Sequence, residues 1–512
     1  MPKTYSTDLF DLIKSLNSAE KGYVKKFALR NSTKGNLVYL KLFDAIDSQE
    51  VFDEQLILKR LKYDKQLSQL KKYLYSAICK ALDSYHAESN HELQLIKMLS
   101  MIAILYKKGL HKQCSKLLAN AKKTARKHEL HLYLLQLAEW ERLILTNDSE
   151  EELYKIKRAQ EEFMEDFKNT NEYYHLMHKF RKIADRNFSN RTKNDIVELK
   201  KLTDHPLFTS KSIPASWKAK SLFHEMKAFY YEFKGDFQKA YFHRKESLVL
   251  FENSTERKLQ EPKAYLVALN NYIIILIRLK KYLEVEKFIS FAKFFRKFNF
   301  MDENTQIPLF ILYSNELHFY LIRSEFEKGM ELIKEIESNL IKYHGKISRE
   351  VELTLNINSA IVYFCLDDFS KTLYWLNKIT SDTSLNIRPD IVCFAKILTL
   401  ITHFELGNRE LLEYVVRSTY RFLFEKGRLY KFEIIMLDFI RNKLSNLFTN
   451  KELILAFIEL KEELEEIVKD PLEQKALESF DFISWLDSKI ENRSFGEILR
   501  EKLGFNLEEE NE

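Results

Sequence analysis

Apolar and polar positions follow one another along this chain at helical spacing, and from about residue 231 the helical pattern recurs as a larger unit. The word Gly235-Asp236-Phe237-Gln238-Lys239-Ala240 stands between two helical stretches. Lys281-Tyr282-Leu283, Glu325-Phe326-Glu327, Asp368-Phe369-Ser370 and Gly407-Asn408-Arg409 hold the same place farther on. Aligned on Phe237, Tyr282, Phe326, Phe369 and Arg409, the steps are 45, 44, 43 and 40 residues, a period that belongs to stacked pairs of antiparallel helices. Each aligned position is expected to open the second helix of a pair, with the four aromatics buried against their own first helix. Pro214, Pro262, Pro308 and Pro389 lie 23, 20, 18 and 20 residues upstream of Phe237, Tyr282, Phe326 and Arg409. Proline is favoured in a first turn, where its missing N–H costs nothing, so each is expected to start a first helix.

Upstream, residues 92–108 and 112–127 read as a further pair joined at Gly109-Leu110-His111. The 126 residues from His111 to Phe237 equal three periods of 42, which leaves room for two degenerate pairs: 130–145 with 151–167, then 172–184 with 194–202. Residues 1–90 do not follow the period. Asn17 and Glu20 form a capping box opening a helix to Arg30, Asn31-Ser32-Thr33-Lys34-Gly35 breaks it, and Leu67, Leu70, Leu74, Ile78 and Leu82 line one face of a later helix. This module is either an N-terminal cap on the array or, over residues 53–85, a helix-turn-helix reader of nucleic acid. The division expected is 1–90, an N-terminal helical module; 91–446, the repeat array; and 447–512, an acidic C-terminal helical cap and tail.

The repeat resembles the tetratricopeptide-repeat superfamily over residues 91–446. Tyr231, Gly235, Phe237, Ala240 and Leu248 have that family's order and spacing, and Tyr320, Phe326, Gly329 and Tyr363, Phe369, Trp375 repeat parts of it. The period is nearer 43 than the family's 34. Ala240 becomes Val285, Thr372 and Leu412, and Gly235 becomes Lys280, Ser324 and Asp367. The resemblance implies an all-α fold, an α-solenoid whose concave face, built from first helices, holds a peptide or protein.

Composition supports helices. The chain has 10 Gly and 7 Pro in 512 residues, against usual frequencies of roughly 7% and 5%, too few turn residues for a many-stranded sheet. No apolar run approaches the roughly 20 residues that cross a bilayer, and residues 1–16 carry no continuous apolar signal segment. A soluble, cytoplasmic protein without membrane insertion is expected. Cys79, Cys114, Cys365 and Cys393 lie singly in apolar pattern, as buried reduced thiols would. Net charge is +6, unevenly spread: residues 1–127 hold 24 Lys+Arg against 12 Asp+Glu, and residues 451–512 hold 8 against 18.

Catalytic chemistry is hard to find. The ten glycines never come closer than eight residues, which excludes phosphate-cradling loops and dinucleotide fingerprints. The pairs His128, His131 and His175, His178 lack the second Glu-x-x-His and the carboxylates of a bundle metal site. No enzyme activity, cofactor or metal is expected. Lys112, Lys116, Lys123 and Lys127 fall within about 60° on one helix face, either a stripe for a phosphate backbone or acidic partner, or a solvated face. Asn271, Asn315 and Asn358 each stand eleven residues before an aligned aromatic. Asn is unfavourable inside a helix because its side chain competes for backbone hydrogen bonds, so its recurrence has a reason. Three carboxamides in register either pair with the main chain of an extended peptide or tie neighbouring first helices together. Glu225, Asn270, Arg278 and His318 are the expected groove neighbours. The leading reading is a non-enzymatic peptide- or protein-binding scaffold, and the alternative a regulatory nucleic-acid-associated protein.

Overall fold

The computed structural model describes residues 7–30, 37–61, 67–86, 90–145, 150–189, 194–210, 213–297, 303–343, 345–381, 387–427, 430–443, 450–467, 469, 473 and 480–509. The expected break at Asn31 to Gly35 and the last three residues of the acidic tail lie outside these. Among the described residues every regular element is a helix. The chain divides into two compact units, Met1–Glu172 with Pro214–Ala219, and Tyr173–Ile213 with Lys220–Glu512.

In the first unit α1 (Asp8–Ser15), α2 (Ser18–Arg30), α3 (Leu37–Asp47), α4 (Glu54–Leu61) and α5 (Leu67–His86) enclose Ile13, Leu42, Phe43, Ile46, Ile57, Leu74 and Ile78. The capping box forms as the sequence suggests: the Glu20 N–H donates to Asn17 Oδ1 and the Asn17 N–H to Glu20 Oε2, both at 2.9 Å. Helices α6 (His91–Lys107) and α7 (His111–Lys127) make the early pair, followed by α8 (His131–Ile144). Helix α9 (Glu150–Ser189), which belongs to the first unit up to Glu172 and to the second from Tyr173, runs 40 residues without interruption. It replaces the separate helices expected at 151–167 and 172–184, so the two degenerate pairs do not form as such. The stretch between them, Lys168-Asn169-Thr170-Asn171, has neither Gly nor Pro to stop a helix.

The second unit continues through α10 (Asn194–Thr203) and α11 (Pro206–Thr209) into five pairs. These are α12 (Trp217–Phe233) with α13 (Phe237–Glu252), then, after the short α14 (Thr255–Gln260), α15 (Pro262–Arg278) with α16 (Tyr282–Lys297). Next come α17 (Glu303–Ile322) with α18 (Phe326–Lys342), α19 (Arg349–Cys365) with α20 (Phe369–Thr380), and α21 (Pro389–Glu405) with α22 (Arg409–Glu425). Helix α15 packs on α17, α17 on α19 and α19 on α21. The unit closes with α23 (Lys431–Asp438), a π-helical turn at Phe439–Lys443, α24 (Asn450–Ile467), α25 (Phe482–Glu491) and α26 (Phe495–Glu509).

The register read from the sequence is kept: Phe237, Tyr282, Phe326, Phe369 and Arg409 are each the first residue of a second helix. One turn serves all five pairs. The residue two before each second helix, Gly235, Lys280, Ser324, Asp367 or Gly407, has φ between 53° and 76°. The next N–H reaches back to the carbonyl five residues earlier, as from Asp236 to Tyr231, Lys281 to Leu276 and Glu325 to Tyr320, at 2.8–2.9 Å. This is a Schellman cap, which satisfies carbonyls orphaned at the end of the first helix. Lys280, Ser324 and Asp367 adopt it although left-handed backbone costs an L-residue about 1–2 kcal/mol. The bond pattern therefore outweighs the residue type.

Three expectations are corrected. All four aligned aromatics lie at a helix start, where a turn leaves one side open, so Phe237, Tyr282 and Phe369 are half-buried; Phe326 is fully buried because Arg500 and the start of the last helix cover it. Pro262 and Pro389 start first helices, but Pro308 falls inside α17 and Pro214 three residues ahead of α12. Cys114, Cys365 and Cys393 are buried, while Cys79 is exposed on α5.

Candidate binding face on the first helices

The asparagine column lies between neighbouring first helices. Asn315 Nδ2 donates to Asn270 Oδ1 at 2.7 Å and to the Asn270 carbonyl at 3.3 Å. Asn358 Nδ2 donates to the Ser314 carbonyl at 3.3 Å. Asn271 Nδ2 donates to Glu225 Oε2 at 3.3 Å, and Asn270 Nδ2 to Asn271 Oδ1. The donors thus form a ladder from α12 through α15 and α17 to α19. Asn315 is buried and the other three are half-buried.

Glu225 is anchored rather than free. It accepts from Arg244 Nη1 at 2.5 Å, from Ser247 Oγ at 3.0 Å and from Asn271. Arg244 also grips Glu232 with two bonds at 2.8 and 2.9 Å. Burial by itself would make this guanidinium easier to deprotonate, but the two carboxylates outweigh it and raise its pKa. A buried, doubly paired arginine of this kind fixes α12 on α13 and is costly to break.

Arg278 and His318 remain at the surface. Arg278 lies over the Phe237 ring at 5.4 Å, and Arg323 stacks likewise on Tyr282 at 5.5 Å, a cation–π contact repeated from one pair to the next. The protein packed around the His318 ring, and then the positive Arg278, lower its pKa. The residue is nonetheless exposed, which tempers the desolvation. At neutral pH it is therefore an uncharged donor and acceptor.

Columns of equivalent residues change steadily along the unit. Eight residues before each second helix stand Ile274, His318, Ile361 and Ile401, the first two exposed, the third half-buried and the last fully buried. Four residues before it stand Arg278, exposed, Ile322, half-buried, Cys365, buried, and Glu405, whose side chain is almost covered. The chain itself closes this end. Glu405 accepts from Trp485 Nε1 at 2.6 Å and from Lys489 Nζ at 2.7 Å. Phe394 of α21 meets Phe480 and Phe482, and Phe364 of α19 meets Phe480 and Phe495. Arg500 of α26 pairs with Glu327 at 2.6 Å and covers Phe326.

An open face thus extends over α15, α17 and α19. It holds Asn270, Asn271, Ile274 and Arg278, then His318, then Thr354, Asn358 and Ile361. Ile274, Thr354 and Ile361 went unnoticed in the sequence, although the columns that carry Asn271 and Arg278 would have found Ile274 and Ile361 by offset. In the first unit, Lys112, Lys116, Lys123 and Lys127 are all exposed, and the first three form no ion pair among the described residues. No protein-family model, curated protein or solved structure matches the chain.

Proposed function

We propose that the protein is a non-enzymatic scaffold that binds a peptide or protein partner on the first-helix face of a solenoid-like repeat array. The observation that carries this reading is the run of accessible side chains at equivalent positions of three packed first helices, α15, α17 and α19. A cation, a neutral imidazole, amide and hydroxyl oxygens and two isoleucines lie along it, a mixture suited to main-chain hydrogen bonds and one acidic or carboxylate group. The asparagines contribute through rigidity: their donors hold neighbouring helices in register, so the face is built before a ligand arrives. Glu225 and Asn315 act as supports, while Arg278, His318 and Asn358 make contact.

Site-specific photo-crosslinking tests this. Benzophenone side chains at positions 274 and 318 should give the same cross-linked partner in the native cell, and position 341, on the outer side of α18, should not. Identical products from all three positions, or none from 274 and 318, overturn the reading.

A second reading rests on the exposed lysine face of α7 together with Lys72, Tyr73, Tyr75 and Lys80, exposed on α5. Cations interleaved with aromatics suit a nucleic-acid backbone and its bases. It requires binding to a generic duplex or single strand that falls steeply with salt and drops further when Lys112, Lys116, Lys123 and Lys127 become Glu. No binding at low salt retires it.

A further inference from the structure

The outer face of α22 is unlike those of the other second helices. Tyr414, Tyr420 and Phe424 are 74%, 49% and 68% exposed along one side of this 17-residue helix. Among the described residues α13, α18 and α20 each show one large exposed apolar side chain, Phe242, Ile341 and Tyr374, and α16 shows two, Leu283 and Phe291. By ring size the three residues of α22 present on the order of 400 Å² to water, the size of the largest patch on a typical monomer, which is often functional.

Charge on the same face is ordered. At about 100° per residue, Glu410, Glu413, Tyr414, Arg417, Tyr420, Arg421 and Phe424 share an arc of about 120°. The acids occupy its N-terminal half and the arginines its C-terminal half. Glu413 and Arg417 pair with each other while both stay largely exposed, a weak interaction that costs little to rearrange. Glu410 and Arg421 form no ion pair among the described residues. Tyr420 and Phe424 stack with ring centroids 6.5 Å apart.

A partner for this face must carry bases opposite Glu410 and acids opposite Arg421, with apolar groups between. The same helix in antiparallel orientation supplies this. A two-fold axis crossing α22 between residues 415 and 416 sets Glu410 against Arg421 of the second copy and Tyr414 against its Arg417. Each contact occurs twice, as an isologous interface requires. From this charge complementarity we infer that the protein self-associates as a two-fold dimer through the outer face of α22. The first-helix face takes no part, so the dimer stands or falls independently of the scaffold reading.

Sedimentation velocity of the full chain tests it. The weight-average mass should rise from monomer toward dimer between about 1 and about 200 µM, as suits an interface below about 1,600 Å². Reversing one charge, Arg421→Glu or Glu410→Arg, sets like charges together in both symmetric contacts and should weaken association about tenfold or more. The double reversal Glu410→Arg/Arg421→Glu restores opposite charges and should recover affinity to within about threefold. Tyr414→Ser/Phe424→Ser should be monomeric with an unchanged circular dichroism spectrum, since both side chains are already in water. A mass that stays monomeric throughout overturns the inference. So does a dimer that survives Tyr414→Ser/Phe424→Ser, or a double reversal that fails to recover.

Discussion

The first helices α15 and α21 occupy equivalent places in their pairs and have opposite fates. Both begin with proline, both end in a Schellman cap, and both are apolar along much of their length. On α15 the positions four and eight residues before the second helix hold Arg278 and Ile274 and meet solvent. On α21 they hold Glu405 and Ile401: Ile401 is buried and the Glu405 side chain lies beneath Trp485 and Lys489 of α25, while neighbouring Phe404 meets Phe457 of α24. The repeat thus sets direction and spacing, while the non-repeating C-terminal helices decide which part of the face is open.

The sharpest way to break this comparison is at Trp485, fully buried with its Nε1–H on Glu405. Trp485→Ala should cost about 3–5 kcal/mol in urea unfolding, the usual loss for a large buried aromatic. Ile274→Ala, on the open face, should cost well under 1 kcal/mol by comparison. Equal losses would mean that the two ends are packed alike.

Gly496 offers a narrower probe. A Cβ there would stand 2.3 Å from the Cys365 carbonyl oxygen, a backbone atom that cannot step aside. Gly496→Ala should therefore lift the start of α26 from the end of α19, at a cost of about 1–3 kcal/mol. Hydrogen exchange should show faster labelling from residue 495 onward and unchanged labelling in α15. Unchanged exchange in α26 would place that helix wrongly.

The asparagine ladder is expected to contribute less. Asn315→Ala removes two donated hydrogen bonds to Asn270, at 2.7 and 3.3 Å, and should cost about 1–2 kcal/mol. A neutral result would show that the ladder does not brace the open face. In the opposite direction, Ser324→Gly should stabilise by up to about 1 kcal/mol, because glycine meets no penalty at φ 53°. Gly235→Ala should destabilise by a similar amount.

The smallest effect is that of His318. Its folded pKa lies below its unfolded value, so between the two the unfolded chain binds more protons. Stability should therefore fall as pH drops from the ordinary histidine range toward the lowered value, and His318→Gln should flatten that slope. A slope that persists in the variant belongs to other groups.

Much of the fold was legible from residue order. The period named the first residue of five second helices, because a helix pair takes a fixed length of chain whatever it packs against. Pro262 and Pro389 marked helix starts through the missing N–H. A shared direction of equivalent side chains was legible too, since equal offsets on equivalent helices place them on one side. Whether those side chains would be open was not. Asn315 and Asn358 looked like ligand donors until their neighbours on the preceding helix were known to accept from them.

The sequence by itself determined an all-helical chain, its pairing period and the helix faces that share a direction, all set by local geometry and spacing within about 45 residues. Tertiary structure decided the rest. It turned the asparagine donors inward and brought Trp485 onto Glu405 across 80 residues of chain. Such contacts depend on which surfaces meet after the local elements have formed, and no residue spacing along the chain encodes that meeting.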